Sequence, residues 1–107
     1  MIIIKGSPIS VNKLYRGRRF LTNEGKGVKE GYAWDIKTQW KKPITNEDVA
    51  VNIMFYFSNN RSDIDNCLKA ILDAGTGIIW NDDKQITEMH IFKEIDKDNP
   101  RTEMSII

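Results

Sequence analysis

The sequence predicts an α+β fold: a single small domain over residues 1–107, with a mixed β-sheet and helices packed on it. Three observations carry the prediction. Val49–Phe57, "VAVNIMFYF", is a nine-residue strand pattern, with Val49, Val51, Ile53, Phe55 and Phe57 on one face. In the next segment Ile64, Cys67, Leu68, Ile71 and Leu72 recur at helical spacing and make an apolar stripe. The whole chain reads in the order β, loop, α, β, α, β, β, which suits helices laid on one sheet. With 107 residues, 40% apolar and 29% charged, it supports one core and is too small for two.

Taken in order, "MIIIKG" is a β-branched run closed by a glycine and then Pro8, a strand entering a turn. "SVNKLYRGRRFLTNEGKG" mixes cations, aromatics and glycines without periodicity, so it is a loop with room for a short strand at Arg19–Leu21. From Val28 to Lys41, Val28, Tyr32, Ile36 and Trp40 recur every fourth position despite Gly31; this is a helix, ended by Pro43. In the Val49–Phe57 strand the second face also carries Ala50, Met54 and Tyr56, which predicts a central strand covered on both sides. "SNNRS" breaks the chain before a helix that ends near Gly75. "GIIWNDD" makes a turn into the alternating strand "QITEMHIFKEI", and "RTEMSII" is expected to pair against that strand.

Composition excludes several classes. No apolar run approaches the roughly 20 residues of a membrane span, and the start lacks a signal-peptide pattern, so a cytoplasmic protein is expected. One cysteine, Cys67, rules out an internal disulfide, and with a single histidine there are too few ligands for structural zinc. Metal chemistry here must use oxygen ligands. The net charge of +1 conceals a split: residues 1–30 hold seven Lys/Arg against two acids, net +5, and residues 63–107 hold five against ten, net −5. Such a split suits either self-attraction or a polyanion grip beside a cation-binding cluster.

"RSDIDNCLK" (Arg61–Lys69) and "WNDDK" (Trp80–Lys84) hold the candidate chemistry. Asp63 and Asp65 are two apart where extended chain gives way to helix, so their oxygens can converge on one side. Helix capping explains one of them and leaves the other without a purpose. Lys69 follows Asp65 by four residues, and an ordinary i,i+4 ion pair and a phosphate-facing ammonium are equally open on spacing alone. "NDD" at Asn81–Asp83 is turn-forming, yet it is held between bulky "GIIW" and a strand. An EF-hand fails because Cys67, Leu68 and Ala74 stand where its fifth, sixth and twelfth positions need Asp/Asn, Gly and Glu. Hard carboxylates without a glutamate clamp suit Mg²⁺ or Mn²⁺.

With these residues in view, the chain resembles the RusA family of Holliday-junction resolvases, small phage and prophage endonucleases. "RSDIDNCLKAILDA" followed by "GIIWNDDKQI" is similar to the family's D-x-D-N-x-x-K helix and its later W-x-D-D segment, and "GSPISVNKLYRGRR" more loosely to its N-terminal Pro, Asn and Tyr turn. The resemblance implies that Asp63, Asp65 and Asp83 bind Mg²⁺, with Mn²⁺ as a substitute, and that Lys69 is the essential basic residue. It also implies a homodimer with one site per subunit, paired nicks in four-way DNA junctions, and roles in recombination and repair. The DNA grip would comprise Asn12, Lys13, Tyr15, Arg16, Arg18, Arg19, Lys26 and Lys29, whose ordinary alternative is a solvated loop. His90, Trp34, Trp40 and Trp80 are expected to serve packing or the dimer surface. Two rivals stand beside this reading. One is another Mg²⁺ nuclease acting on flaps or single strands, and the other is a non-catalytic DNA-binding phage protein.

Overall fold

The computed structural model describes residues 1–10, 15–16, 20–21, 23–61 and 63–107, and of residues 15–16, 20–21 and 23–25 the backbone alone. Its elements are β1 (Ile2–Lys5), β2 (Tyr15–Arg16), β3 (Phe20–Leu21), α1 (Asn23–Gln39), β4 (Val49–Phe57), α2 (Ile64–Gly75), a 3-10 turn (Asp83–Gln85), β5 (Ile86–Ile95) and β6 (Arg101–Ile106). The expected α+β class holds: a four-stranded mixed sheet in the order β1-β6-β4-β5 carries both helices, and β2 and β3 form a separate hairpin.

β4 lies inside the sheet because it is apolar enough to have neighbours on both edges. It pairs antiparallel with β6 (Ile53↔Met104, Phe55↔Thr102) and parallel with β5 (Ile53↔Ile91, Phe57↔Ile95). A parallel neighbour requires a crossover, and α2 supplies it, returning the chain from the end of β4 to the start of β5. The core is one cluster: Val49, Val51, Ile53, Phe55 and Phe57 of β4 with Ile2, Ile4 and Met104 of its sheet, Tyr32 and Ile36 of α1, and Cys67, Ala70, Ile71 and Ala74 of α2.

Several expectations are corrected. β6 does not pair with β5 but sits between β1 and β4, where Thr102 and Met104 extend the buried face of β4. β4 is covered on one face only; its other face, with Asn52 exposed and Ala50, Met54 and Tyr56 half-buried, carries no helix among the described residues. The reason is that α1 and α2 pack on the same side and against each other. The first helix runs over Asn23–Gln39 rather than Val28–Lys41. It tolerates its glycines, about 1 kcal/mol each, because Tyr32 and Ile36 are buried against the sheet. The short strand expected at Arg19–Leu21 is Phe20–Leu21, with Arg19 outside the described residues. No helix among the described residues is long and apolar enough to cross a membrane.

Candidate active site

Beyond Phe57 the chain leaves β4 and enters α2 with Asp63 at the N-cap position, φ −91°, ψ 142°. An N-cap aspartate ordinarily spends its carboxylate on a backbone N–H of the first turn. Among the described residues Asp63 makes no such bond, and its Oδ2 accepts a long one, 3.4 Å, from Asn66 Nδ2. Asp65, in the first turn, is exposed. Both carboxylates act on one neighbour: burial pushes the Cys67 thiol above its ordinary range, and the charges of Asp63 and Asp65 push it further. Asp63 and Asp65 are thus both exposed at the N-terminal end of α2, and Asp63 makes no capping bond there. Lys69, one turn on, donates from Nζ to Asp73 Oδ2 at 3.1 Å. That is an i,i+4 pair on the exposed stripe, with the Lys69 side chain 55% exposed.

A second ammonium at this end escaped the sequence reading. Lys93 of β5 lies opposite Phe55, on the helix-bearing side of the sheet between Ile91 and Ile95. Its Nζ donates to the Asn60 carbonyl at 3.3 Å and lies 5.5 Å from the centre of the Phe57 ring. It opposes the two aspartates in setting the Cys67 thiol. The sequence does carry a signal for it, since a cation stands where the strand's alternation calls for an apolar residue.

"NDD" proves to be a built turn. Trp80 is fully buried, donates from Nε1 to Thr76 Oγ1 at 3.0 Å and leaves no room beside Gly75, where a Cβ would stand 2.8 Å from its ring. Gly77 makes the chain reversal before it, with φ +90° and its N–H donating to the Trp80 carbonyl at 2.7 Å. Asp82 caps the 3-10 turn, accepting from the Lys84 N–H at 2.9 Å, and Gln85 Oε1 accepts from the N–H groups of Asn81 and Asp82. That backbone bond, first of all, holds the Asp82 carboxyl below its ordinary range. Gln85 Nε2 ties the turn to the Thr45 and Glu47 carbonyls, and Asn81 is bonded to Asn46. Asp82 is thus occupied structurally. Its neighbour Asp83 is exposed.

Within one chain the two acidic segments are at opposite ends of the sheet. Asp63 and Asp65 follow the C-terminal end of β4, whereas Asp83 precedes β5 beside the start of β4. α2 spans the distance between them, twelve residues or roughly 18 Å. Among the described residues no three His, Cys, Asp or Glu side chains come together as a metal-holding group. In donor chemistry carboxylates suit a hard cation; in one chain Asp63 and Asp65 stand at one end of the sheet and Asp83 at the other.

Of the expected DNA grip, Asn12, Lys13, Arg18 and Arg19 lie outside the described residues, and Tyr15 and Arg16 are described as β2 backbone only. Lys26 and Lys29 are exposed on α1. A groove of about 250 Å³ between Ser7–Ser10 and Phe57–Asn59 places the start of the basic loop at the Asp63 end of the sheet. Of the residues assigned to packing or the dimer surface, Trp80 is core and Trp40 packs against the core cluster, whereas Trp34 is 67% exposed and His90 is exposed on the open face.

Residues 6–107 match the family model described as endodeoxyribonuclease RusA. The chain belongs to that family of endodeoxyribonucleases. No curated protein matches it.

Proposed function

We propose that the protein is a Mg²⁺-dependent endodeoxyribonuclease, with Mn²⁺ as a substitute, that resolves four-way DNA junctions by paired symmetric nicks as a cytoplasmic homodimer. The observation that carries this reading is two exposed carboxylates, Asp63 and Asp65, at the N-terminal end of α2 with the Asp63 cap left unmade. Family membership supplies the substrate class.

Because Asp83 is a helix length away from the pair in its own chain, the third carboxylate comes from a second copy. Asp63 and Asp65 of one subunit and Asp83 of the other would hold the ion. When bound, that cation would supply Lewis-acid charge to the scissile phosphate and acidity to the attacking water. Lys69 sets a positive charge beside the phosphate, where it offsets charge developing on the transferring and leaving oxygens. Lys93, held on the Asn60 carbonyl, would add a second positive charge at this end of the sheet. The basic loop, carrying Lys13, Arg16, Arg18 and Arg19 with Lys26 and Lys29 on α1, grips flanking phosphates and gives a steep fall in affinity with salt. A two-fold dimer presents two such sites to a near two-fold junction, and paired nicks follow from that symmetry.

Purified protein incubated with labelled junction, flap, single-stranded and duplex DNA tests the proposal. The expected result is junction cleavage in Mg²⁺ that stops in EDTA. Preference for flaps would point to the other nuclease class, and binding without cleavage to a plain DNA-binding protein. Replacing Lys93 by Met is expected to lower the cleavage rate about tenfold with little change in melting temperature, since it removes one charge beside the site rather than within it. Unaltered cleavage by this variant would remove Lys93 from the account.

A further inference from the structure

We infer that the outward side of α1 is a separate DNA contact, in which Trp34 stacks on an unpaired base and Lys37 and Lys41 hold the phosphates beside it. This rests on the reading of the chain as a nuclease of branched DNA and adds where a strand with opened bases lies on it.

Trp34 takes no part in the core. Tyr32 and Ile36 on either side of it in the chain are buried against the sheet, while Trp34 stands 67% exposed on the opposite side of the helix. A single apolar residue on a surface is ordinary. Three features set this one apart.

The first is the bare helix around it. Gly31 and Gly27, about one and two turns earlier, share its side of α1, and a Cβ at either would meet nothing within 4 Å. Packing therefore requires neither glycine, and alanine at each would favour the helix. Helical side chains lean toward the N-terminus, over the turn before their own, so the two glycines keep open the sector toward which the indole leans. A planar base needs that room.

The second is charge. Between residues 26 and 42 five lysines are exposed, Lys26, Lys29, Lys37, Lys41 and Lys42, against one exposed acid, Glu30. None of the five makes an ion pair among the described residues. The helix dipole favours Lys37 in the last turn but disfavours Lys26 near the start, so helix stability does not explain the run. An exposed indole alone would suit an apolar protein surface equally well; the lysines select a polyanion.

The third is continuity. Lys26 and Lys29 already belong to the proposed grip, and Trp34 and Lys37 extend it along the same helix. α1 packs beside α2, which carries Asp65 and Lys69, so a strand leaving the acidic site across the helix layer meets α1. Stacking on an aromatic ring accepts any base, as an enzyme that reads branched shape rather than sequence requires.

The test titrates a dye-labelled oligothymidylate into the protein in EDTA, reading tryptophan emission and the anisotropy of the dye. Trp80 is buried and Trp40 packs against the core, so Trp34 is the tryptophan that a base can reach. The expected result is saturable quenching that disappears in Trp34→Phe, and binding about tenfold weaker in Trp34→Ala with an unchanged melting temperature. Lys37→Gln with Lys41→Gln should lower the slope of log affinity against log salt by about 1.4, the share of two single-strand phosphates. Lys97→Gln, an exposed lysine in the β5–β6 turn, controls for net charge and should leave binding unaltered. Absent quenching, or wild-type affinity in Trp34→Ala, would overturn the α1 contact, while junction cleavage by the unaltered protein would leave the nuclease reading standing. Emission that ignores DNA but shifts with protein concentration would make this side of α1 a contact between copies and would overturn the inference too. Quenching in a protein that cuts no branched DNA would support the contact and overturn the nuclease reading.

Discussion

Asp65→Asn should abolish cleavage, lowering the rate on the order of a thousandfold or more while the fold and junction binding persist. The substitution keeps shape and hydrogen-bonding capacity and removes one negative charge from an exposed position in the first turn of α2. Melting temperature should move by no more than the loss of a helix-dipole interaction, a few tenths of a kcal/mol. A thousandfold corresponds to about 4 kcal/mol of lost transition-state stabilisation, in the range of removing a principal electrostatic element from an active site. The readout is single-turnover cleavage of labelled junction in Mg²⁺, with binding followed separately in Ca²⁺. Retained cleavage would mean that Asp65 belongs to the helix surface and not to the chemistry.

The second large effect falls on stability. Trp80→Ala should cost about 3–5 kcal/mol, as large-to-small changes of buried aromatics do. Trp80 is fully buried, fills the space against Gly75, and holds the reversal that leads to the Asp82–Gln85 turn. A domain of this size has only about 5–15 kcal/mol in total, so the variant should be substantially unfolded at 37 °C. Urea titration followed by circular dichroism measures this. A midpoint unchanged from wild type would show that the turn bearing Asp83 does not depend on Trp80.

Much of the fold was legible because its segments have unambiguous periods. Val49–Phe57 and the helix ending at Gly75 match the sequence reading in extent. The pairing of β6 was not legible, because its alternating Thr102, Met104 and Ile106 fit against either β5 or β4. Local pattern carries no information on which neighbour completes the larger buried face. The one-sided cover of β4 was missed for a related reason, since Ala50, Met54 and Tyr56 look like core in a list of residues but lie on the face opposite both helices. At the site, the placing of Asp63 and Asp65 at one end of the sheet was readable, because both sit where β4 gives way to α2. The helix-long gap to Asp83 was not, because a strand, a crossover and a parallel strand return the chain to the far end of the sheet. Lys93 was not singled out, because its contact with Asn60 depends on a loop 33 residues earlier.

Mixing two inactive variants measures the central idea most directly. Asp65→Asn and Asp83→Asn proteins, each unable to cut alone, are combined in equal amounts, allowed to exchange subunits, and given junction DNA with Mg²⁺. If each site draws Asp63 and Asp65 from one copy and Asp83 from the other, half the dimers are mixed and each contains one intact site. Nicking should then return at about a quarter of the wild-type site number, as single rather than paired cuts. A mixture that exchanges subunits yet stays as inactive as its components would place all three aspartates in one chain or remove Asp83 from the site, and would contradict the account.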